Sequence, residues 1–173
     1  MQHPSTHLRL LSCAAAIAIG LCAPGCASAA GPGQPDRTGV IDTDELQEEY
    51  RDAVSTFPEP LPEGVQFPGE LPGNVGPGEF FEEDAGGFYT AVYWRCAWMG
   101  SYLRALGDSD AHAQEASLVA LDRWREIPYV QRYFVEDQDG SFAGAVLAPA
   151  RGGDPDPDPM KSFHSGSGCS VFL

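Results

Sequence analysis

Few residues of this 173-residue chain have the types and spacing that catalysis needs. His112 falls in the first turn of a predicted helix, where the helix dipole disfavours an imidazolium. His164 lies in a tail rich in glycine and serine, and a flexible tail does not hold a neighbouring serine in the geometry of a nucleophile. No phosphate-binding loop, nucleophile elbow, dinucleotide fingerprint or zinc-protease helix occurs. The sequence therefore predicts no catalytic residue and no cofactor.

Two acidic segments are candidates for metal sites. Aligning residues 137–140 with an EF-hand loop puts Val135 at the first ligand position and Val146 where the bidentate glutamate must be, so calcium lacks two ligands. The carboxylates of residues 82–84 are adjacent in the chain and point in different directions. Both segments are interpreted as solvated turns or helix entrances, and no metal site is predicted.

Three aromatic residues, Trp94, Trp98 and Tyr102, form the best candidate for a binding surface. Aromatic side chains at helical spacing stack on sugars or other ligands, and they are enriched at interaction hot spots. The alternative is that this stripe belongs to the core or supports the proline-rich segment 57–78. The stripe is therefore the predicted site for a partner or ligand of unknown identity.

The elements that must position these side chains are predicted to be helical. Asp42 as N-cap and Glu45 three residues later form a capping box, and the helix they begin must end before Pro58. A second helix, apolar on much of its circumference, is predicted from near Gly87 to Leu106 and closed by Gly107. A third follows from about residue 108 to 127, and so short a connection favours an antiparallel hairpin. Shorter pieces are predicted downstream: a helical turn at 128–134, a turn at 137–140, a short helix at 142–148 ending at Pro149, and a surface loop at 154–159.

Residues 57–78, here called the strap, combine many prolines and glycines with regularly spaced apolar residues. Prolines lack the backbone N–H that helices and sheets need, and glycines make the chain flexible. Their density here excludes a helix or a central strand. The strap is predicted to be extended and polyproline-like, with its apolar side chains against the helices. A disordered linker is the alternative. The apolar residues in question are Phe57, Leu61, Val65, Phe67 and Leu71.

Cysteine usage indicates a single intramolecular disulfide. Cys96 and Cys169 are the two cysteines of the predicted folded domain. A bridge between them closes a loop of roughly seventy residues, to which the chain-entropy model assigns about 4 kcal/mol. A buried unpaired Cys96 and an intermolecular pair through Cys169 are the alternatives.

The N-terminal segment has the features of an export signal. Residues 10–22 form an apolar run typical of a signal-peptide core and short for a membrane span. The tetrapeptide Ala23-Pro24-Gly25-Cys26 resembles the lipobox of bacterial lipoprotein precursors, a resemblance confined to these four residues. It implies that residues 1–25 are removed and that Cys26 is acylated. The alternative is ordinary cleavage after Ala29. Residues 26–40 are predicted to form a flexible tether.

The acidity of the chain restricts its partners. The formal net charge is −15 at pH 7, and residues 1–25 contain no acidic residue, so the predicted mature chain carries all of it. Such a surface repels phosphate backbones and anionic lipid. Nucleic-acid binding is therefore not expected, and membrane attachment is expected only through a lipid at Cys26.

Together these observations predict an all-α fold: one helical domain (residues 41–173) with a central antiparallel hairpin, the strap and one disulfide. The predicted function is that of an exported, non-catalytic cell-envelope protein that binds a partner or ligand. The alternative is a small extracellular hydrolase with a sparse histidine and carboxylate site. The positions of His112 and His164 relative to any cleft discriminate between the two hypotheses.

Overall fold

A computed structural model of the chain describes residues 39–72, 75–76, 78–134, 140–153 and 159–173. The predicted signal sequence, Cys26, most of the predicted tether, residues 73–74 and 77 of the strap, and residues 137–139 and 154–158 of two predicted loops lie outside these ranges. Within the described part, no helix combines the length and apolarity needed to span a bilayer. The elements are β1 (Val40–Ile41), α1 (Thr43–Thr56), β2 (Phe81–Glu82), α2 (Ala85–Gly107), α3 (Ala111–Asp122), a 3₁₀ helix (Arg123–Glu126), α4 (Pro128–Tyr133), a π-helical segment (Ala143–Leu147), α5 (Ala148–Gly152), α6 (Pro159–Gly166) and α7 (Cys169–Phe172).

Helix α1 begins at the predicted capping box. The Asp42 carboxylate accepts hydrogen bonds from the backbone N–H groups of Asp44 and Glu45, at 2.9 and 3.0 Å. In return, the Glu45 carboxylate accepts from the Asp42 N–H at 2.9 Å. These bonds satisfy N–H groups that have no partner within the helix. The helix ends at Thr56, before Pro58, and its buried face carries Leu46 and Tyr50, so this prediction is confirmed.

Helix α2 is the core of the fold and forms an antiparallel hairpin with α3. Gln114, near the start of α3, donates to the carbonyl of Ala105 near the end of α2. Trp124, just beyond α3, stacks on Trp94 in the first half of α2, with ring centroids 6.4 Å apart. The two helices therefore run in opposite directions. The α-helix ends at Asp122 rather than near residue 127, because the chain tightens into the 3₁₀ helix that carries Trp124.

The connection between α2 and α3 differs from the prediction that Gly107 closes the helix. Gly107 is the last helical residue, and Ser109 adopts the left-handed conformation with a φ of 58°. The Asp110 N–H then bonds to the Ala105 carbonyl and the Ser109 N–H to the Leu106 carbonyl. These two bonds form a Schellman motif centred on serine instead of glycine. Asp110 next caps α3 by accepting from the Ala113 N–H at 3.0 Å.

The all-α prediction is correct as a description of a mostly helical fold, but the structure adds a two-stranded antiparallel sheet. Val40 of β1 pairs with Glu82 of β2, and Ile41 pairs with Phe81. Strands of two residues are too short to show an alternating pattern in the sequence. The first strand begins at Val40, the final residue of the predicted tether.

The C-terminal third is more ordered than the sequence predicts. Helical structure does not end at Pro149 as expected, because the π-helical segment runs directly into α5 and Pro149 is the second residue of α5. The glycine- and serine-rich tail forms α6 and α7 instead of a flexible end. Met160 of α6 and Cys169 of α7 are fully buried. The tail therefore contributes to the core.

The predicted disulfide joins this tail to the central helix. Cys96 of α2 and Cys169 of α7 are bonded, with their Cα atoms 5.3 Å apart. Both residues are fully buried. The predicted intramolecular pairing is confirmed. The bond links α7 covalently to α2.

Candidate functional site

The part of the strap that the structure describes up to residue 72 contacts α1 and α2 through aromatic rings and hydrogen bonds. Residues 57–72 form no helix or strand. The Phe57 ring packs 5.5 Å from that of Phe67 and 6.3 Å from that of Trp94. The backbone of the strap is bonded by side chains of the helices: Tyr93 Oη donates to the Gln66 carbonyl, Tyr50 Oη donates to the Pro68 carbonyl, and Gln47 Oε1 accepts from the Leu71 N–H.

The aromatic stripe predicted to bind a ligand mainly supports the strap and the core. Trp94 and Trp98 both donate their indole N–H to the carbonyl of Pro60, at 2.8 and 3.0 Å. Trp94 is 0% exposed and Tyr102 is 4% exposed. Trp98 is partly exposed, so it is the one member of the stripe that offers surface to a ligand. Ligand binding by this stripe remains a prediction, and it now depends on Trp98.

The two histidines of the described chain lie on different helices. His112 is exposed on α3. His164 is partly buried on α6, and its Nε2 atom is shielded from solvent without a hydrogen-bond partner. Neither histidine lines the cleft described next.

A cleft of about 380 Å³ lies beside the C-terminal half of α1 and the start of α2. Its lining includes three residues with carboxylates, two with aliphatic hydroxyls and one tyrosine. The sequence analysis missed this cleft because its residues come from three separate chain segments. The lining residues are Glu49, Asp52, Ala53, Ser55, Thr56, Asp84, Gly87 and Tyr129.

Two glycines at the start of α2 allow the walls of the cleft to meet. A Cβ atom on Gly86 would lie 2.4 Å from the backbone nitrogen of Tyr50, so α1 and α2 touch backbone to backbone. A Cβ atom on Gly87 would lie 2.0 Å from the Tyr129 ring. The Glu49 carboxylate bridges the junction by accepting from the N–H groups of Asp84 and Gly86, at 3.0 and 3.2 Å. Close approach thus fixes the shape of the cleft.

The three carboxylates of the cleft have different roles. Glu49 caps the start of α2, and Asp84 forms an ion pair with Arg132 while holding a left-handed φ of 68°. Within the described chain, no hydrogen bond or ion pair engages the Asp52 carboxylate, and this residue is exposed. A carboxylate and a tyrosine lining one cleft are the kinds of group that bind an organic cation such as an ammonium or guanidinium group. Across the described residues, no group of three side chains is arranged to hold a metal ion.

Arg95 is a charged residue of the core that the sequence analysis did not single out. It is 5% exposed, and its guanidinium lies 4.3 Å from the ring centre of Trp124. Phe163 of α6 covers it from another side at 5.2 Å. Such an enclosure by aromatic faces stabilises a buried cation. Its signal in the sequence is an arginine in the middle of the run Ala91–Met99, whose other residues are apolar or aromatic.

Comparison of the chain with protein-family models, with curated protein sequences and with solved structures finds no match.

Proposed function

We propose that this chain is an exported, non-catalytic protein of the cell envelope that binds a partner or ligand through a positively charged group. The observation that carries the proposal is the cleft beside α1, which is lined by both Asp52, an exposed residue, and Tyr129. Concave surfaces with a few convergent polar groups are the usual sites of ligand binding.

Export is supported by the leader and by the disulfide. The bond between Cys96 and Cys169 is buried at both ends, and disulfides persist mainly in oxidising compartments. The lipobox-like tetrapeptide favours anchoring at Cys26, and simple secretion after cleavage at Ala29 is the alternative. In either case the domain would act outside the cytoplasm.

The charge of the chain supports a cationic partner. A formal net charge of −15 attracts cations over a distance of about one Debye length and raises their rate of encounter. The cleft supplies a place where that general attraction becomes a specific contact. The partner is therefore expected to present a lysine-, arginine- or amine-like group.

The hydrolase hypothesis has less support. General acid–base catalysis needs a proton donor or acceptor within hydrogen-bond reach of the reacting group. His112 belongs to α3 and His164 belongs to α6. Neither histidine lines the cleft formed by Glu49, Asp52 and Asp84. The binding hypothesis requires no such pair and is preferred for that reason.

Peptide binding tests the cleft. The probe is a short lysine-containing peptide at low salt, observed by NMR chemical-shift changes on the full chain, with its acetyl-lysine form as the neutral reference. We expect shifts at Asp52, Thr56 and Tyr129 and weakening of about two- to fivefold by Asp52→Asn, the range of an exposed ion pair. Glu115→Gln, an exposed charge on α3, is the matched control. Equal weakening by both variants would show attraction by net charge alone and would contradict a site at the cleft.

Cell fractionation with intact-mass analysis tests export and anchoring. The mature protein is expected in the envelope with an acylated Cys26, and Cys26→Ala should release it from the membrane. Alkylation in denaturant without reductant should label neither Cys96 nor Cys169. Protein that retains Met1, stays in the cytoplasm and has two reactive thiols would refute the proposal.

A further inference from the structure

His164 packs on the central helix at a glycine. A Cβ atom placed on Gly100 of α2 would lie 3.9 Å from Nε2 of His164, 3.6 Å from Nη1 of Arg104 and 3.6 Å from Cδ1 of Leu173. The imidazole, the guanidinium and the C-terminal residue therefore converge on one small space. The Nε2 atom has no hydrogen-bond partner there, although it is shielded from solvent. A buried polar atom left unsatisfied calls for a physical explanation.

The charged groups around His164 are unfavourable to a second positive charge. The elements that pack mainly against α6 are α2, the π-helical segment, α5 and α7. The guanidinium of Arg104, an exposed residue of α2, borders the same space at Gly100 as the imidazole; Arg151 of α5 is paired with Asp122, and Lys161 is on α6 itself. The π-helical segment has no ionisable residue, and α7 has only its disulfide-bonded cysteine. None of these five elements contains an aspartate or glutamate.

We propose that α6 and α7 form an acid-released flap, in which protonation of His164 beside Arg104 detaches α6 from α2. The neutral imidazole fits the packed state. The imidazolium would place a charge in a shielded space that already borders a guanidinium, and such burial is costly. The flap stays attached after release, because the disulfide bonds Cys169 to Cys96 of α2.

Burial supports this direction, since it lowers the pKa of His164 from its usual value. The released state, in which the ring is hydrated, has an ordinary histidine pKa of about 6.5. The packing of α6 on α2 is therefore unaffected above about pH 6.5. It weakens as the pH falls below that value and through the lower pKa of the packed state. One coupled proton changes the opening equilibrium by at most about tenfold per pH unit.

Release would uncover a specific part of the core. Phe163 of α6 lies 5.2 Å from the Arg95 guanidinium and 5.1 Å from the ring of Phe142. Detaching α6 removes one face of the aromatic enclosure around Arg95 and exposes a buried cation. The flap thus couples external pH to the exposure of a positive, aromatic surface, independently of the cleft proposed above.

Hydrogen exchange of the full chain at pH 7.5 and pH 5.5, normalised for intrinsic exchange, tests the flap. We expect the opening of α6 to increase by up to about tenfold at the lower pH, with α1 unchanged. His164→Gln should remove this pH dependence. His112→Gln, which changes an exposed residue of α3, should retain it. A pH-independent α6, or a dependence that survives His164→Gln, would overturn the proposal.

NMR titration of the histidine rings in the unaltered chain gives a second test that needs no folded variant. The His164 ring is expected to titrate below the usual histidine value, with α6 backbone signals shifting at the same midpoint. A midpoint at or above about 6.5, or α6 signals that do not follow the ring, would refute an acid-released flap.

Discussion

The contact between α1 and α2 at Gly86 gives a sharp prediction for stability. In Gly86→Ala the new methyl group would lie 2.4 Å from the Tyr50 nitrogen and 2.5 Å from the Glu49 carbonyl carbon. Both are backbone atoms that no side-chain rotation can move. The helices must separate by roughly 1 Å to restore van der Waals distance, and overpacking of this kind costs about 1–3 kcal/mol or more. The higher helix propensity of alanine relative to glycine offsets at most about 1 kcal/mol of this cost.

We therefore expect Gly86→Ala to lower the free energy of unfolding by about 2 kcal/mol, measured by urea denaturation with tryptophan fluorescence. The separation should also weaken the Glu49 bond to the Gly86 N–H. Gly107→Ala on the same helix is the matched control, because its Cβ atom would meet nothing within 4 Å. It should be neutral or stabilising. Equal stability of the two variants would refute the backbone contact as described.

Three further predictions use the same denaturation assay. Replacing Cys96 and Cys169 by alanine should cost about 4 kcal/mol, because the bond spans a separation of 73 residues; a loss below about 1 kcal/mol would contradict the chain-entropy argument. Asp42→Ala should cost about 1 kcal/mol because two N–H groups lose their acceptor, with Asp42→Asn as the control that keeps the cap. Trp98→Phe should cost only about 1 kcal/mol, because the Pro60 carbonyl keeps a second indole donor; unfolding of this variant would show a larger role for Trp98.

Features set by neighbouring residues were predictable from the sequence. The capping box at Asp42 and Glu45 depends on a spacing of three residues, and Pro58 disfavours helical geometry at the residue before it, where α1 has ended. The disulfide was predictable because Cys96 and Cys169 are the only cysteines of the predicted domain. Only one intramolecular pairing was possible, so no knowledge of their distance was needed. The helical hairpin followed from its short connection.

Features set by tertiary contact were not predictable. The cleft joins Glu49, Asp84 and Tyr129, and nothing local in the sequence relates these residues. The tail is helical because Met160 and Cys169 are buried against the core, a gain that composition alone does not show. Ser109 took the left-handed position expected of Gly107, because either residue can close a helix when the flanking bonds form.

The way in which the strap is attached affects how its sequence can change. Three of its acceptors are main-chain carbonyls, those of Pro60, Gln66 and Pro68, and every amino acid supplies that group. Exposed side chains such as Gln66 can therefore be substituted without loss of these hydrogen bonds, provided that the backbone path is kept. The donors on the helices have no such freedom, because Tyr50→Phe or Tyr93→Phe would remove the only hydroxyl at that position.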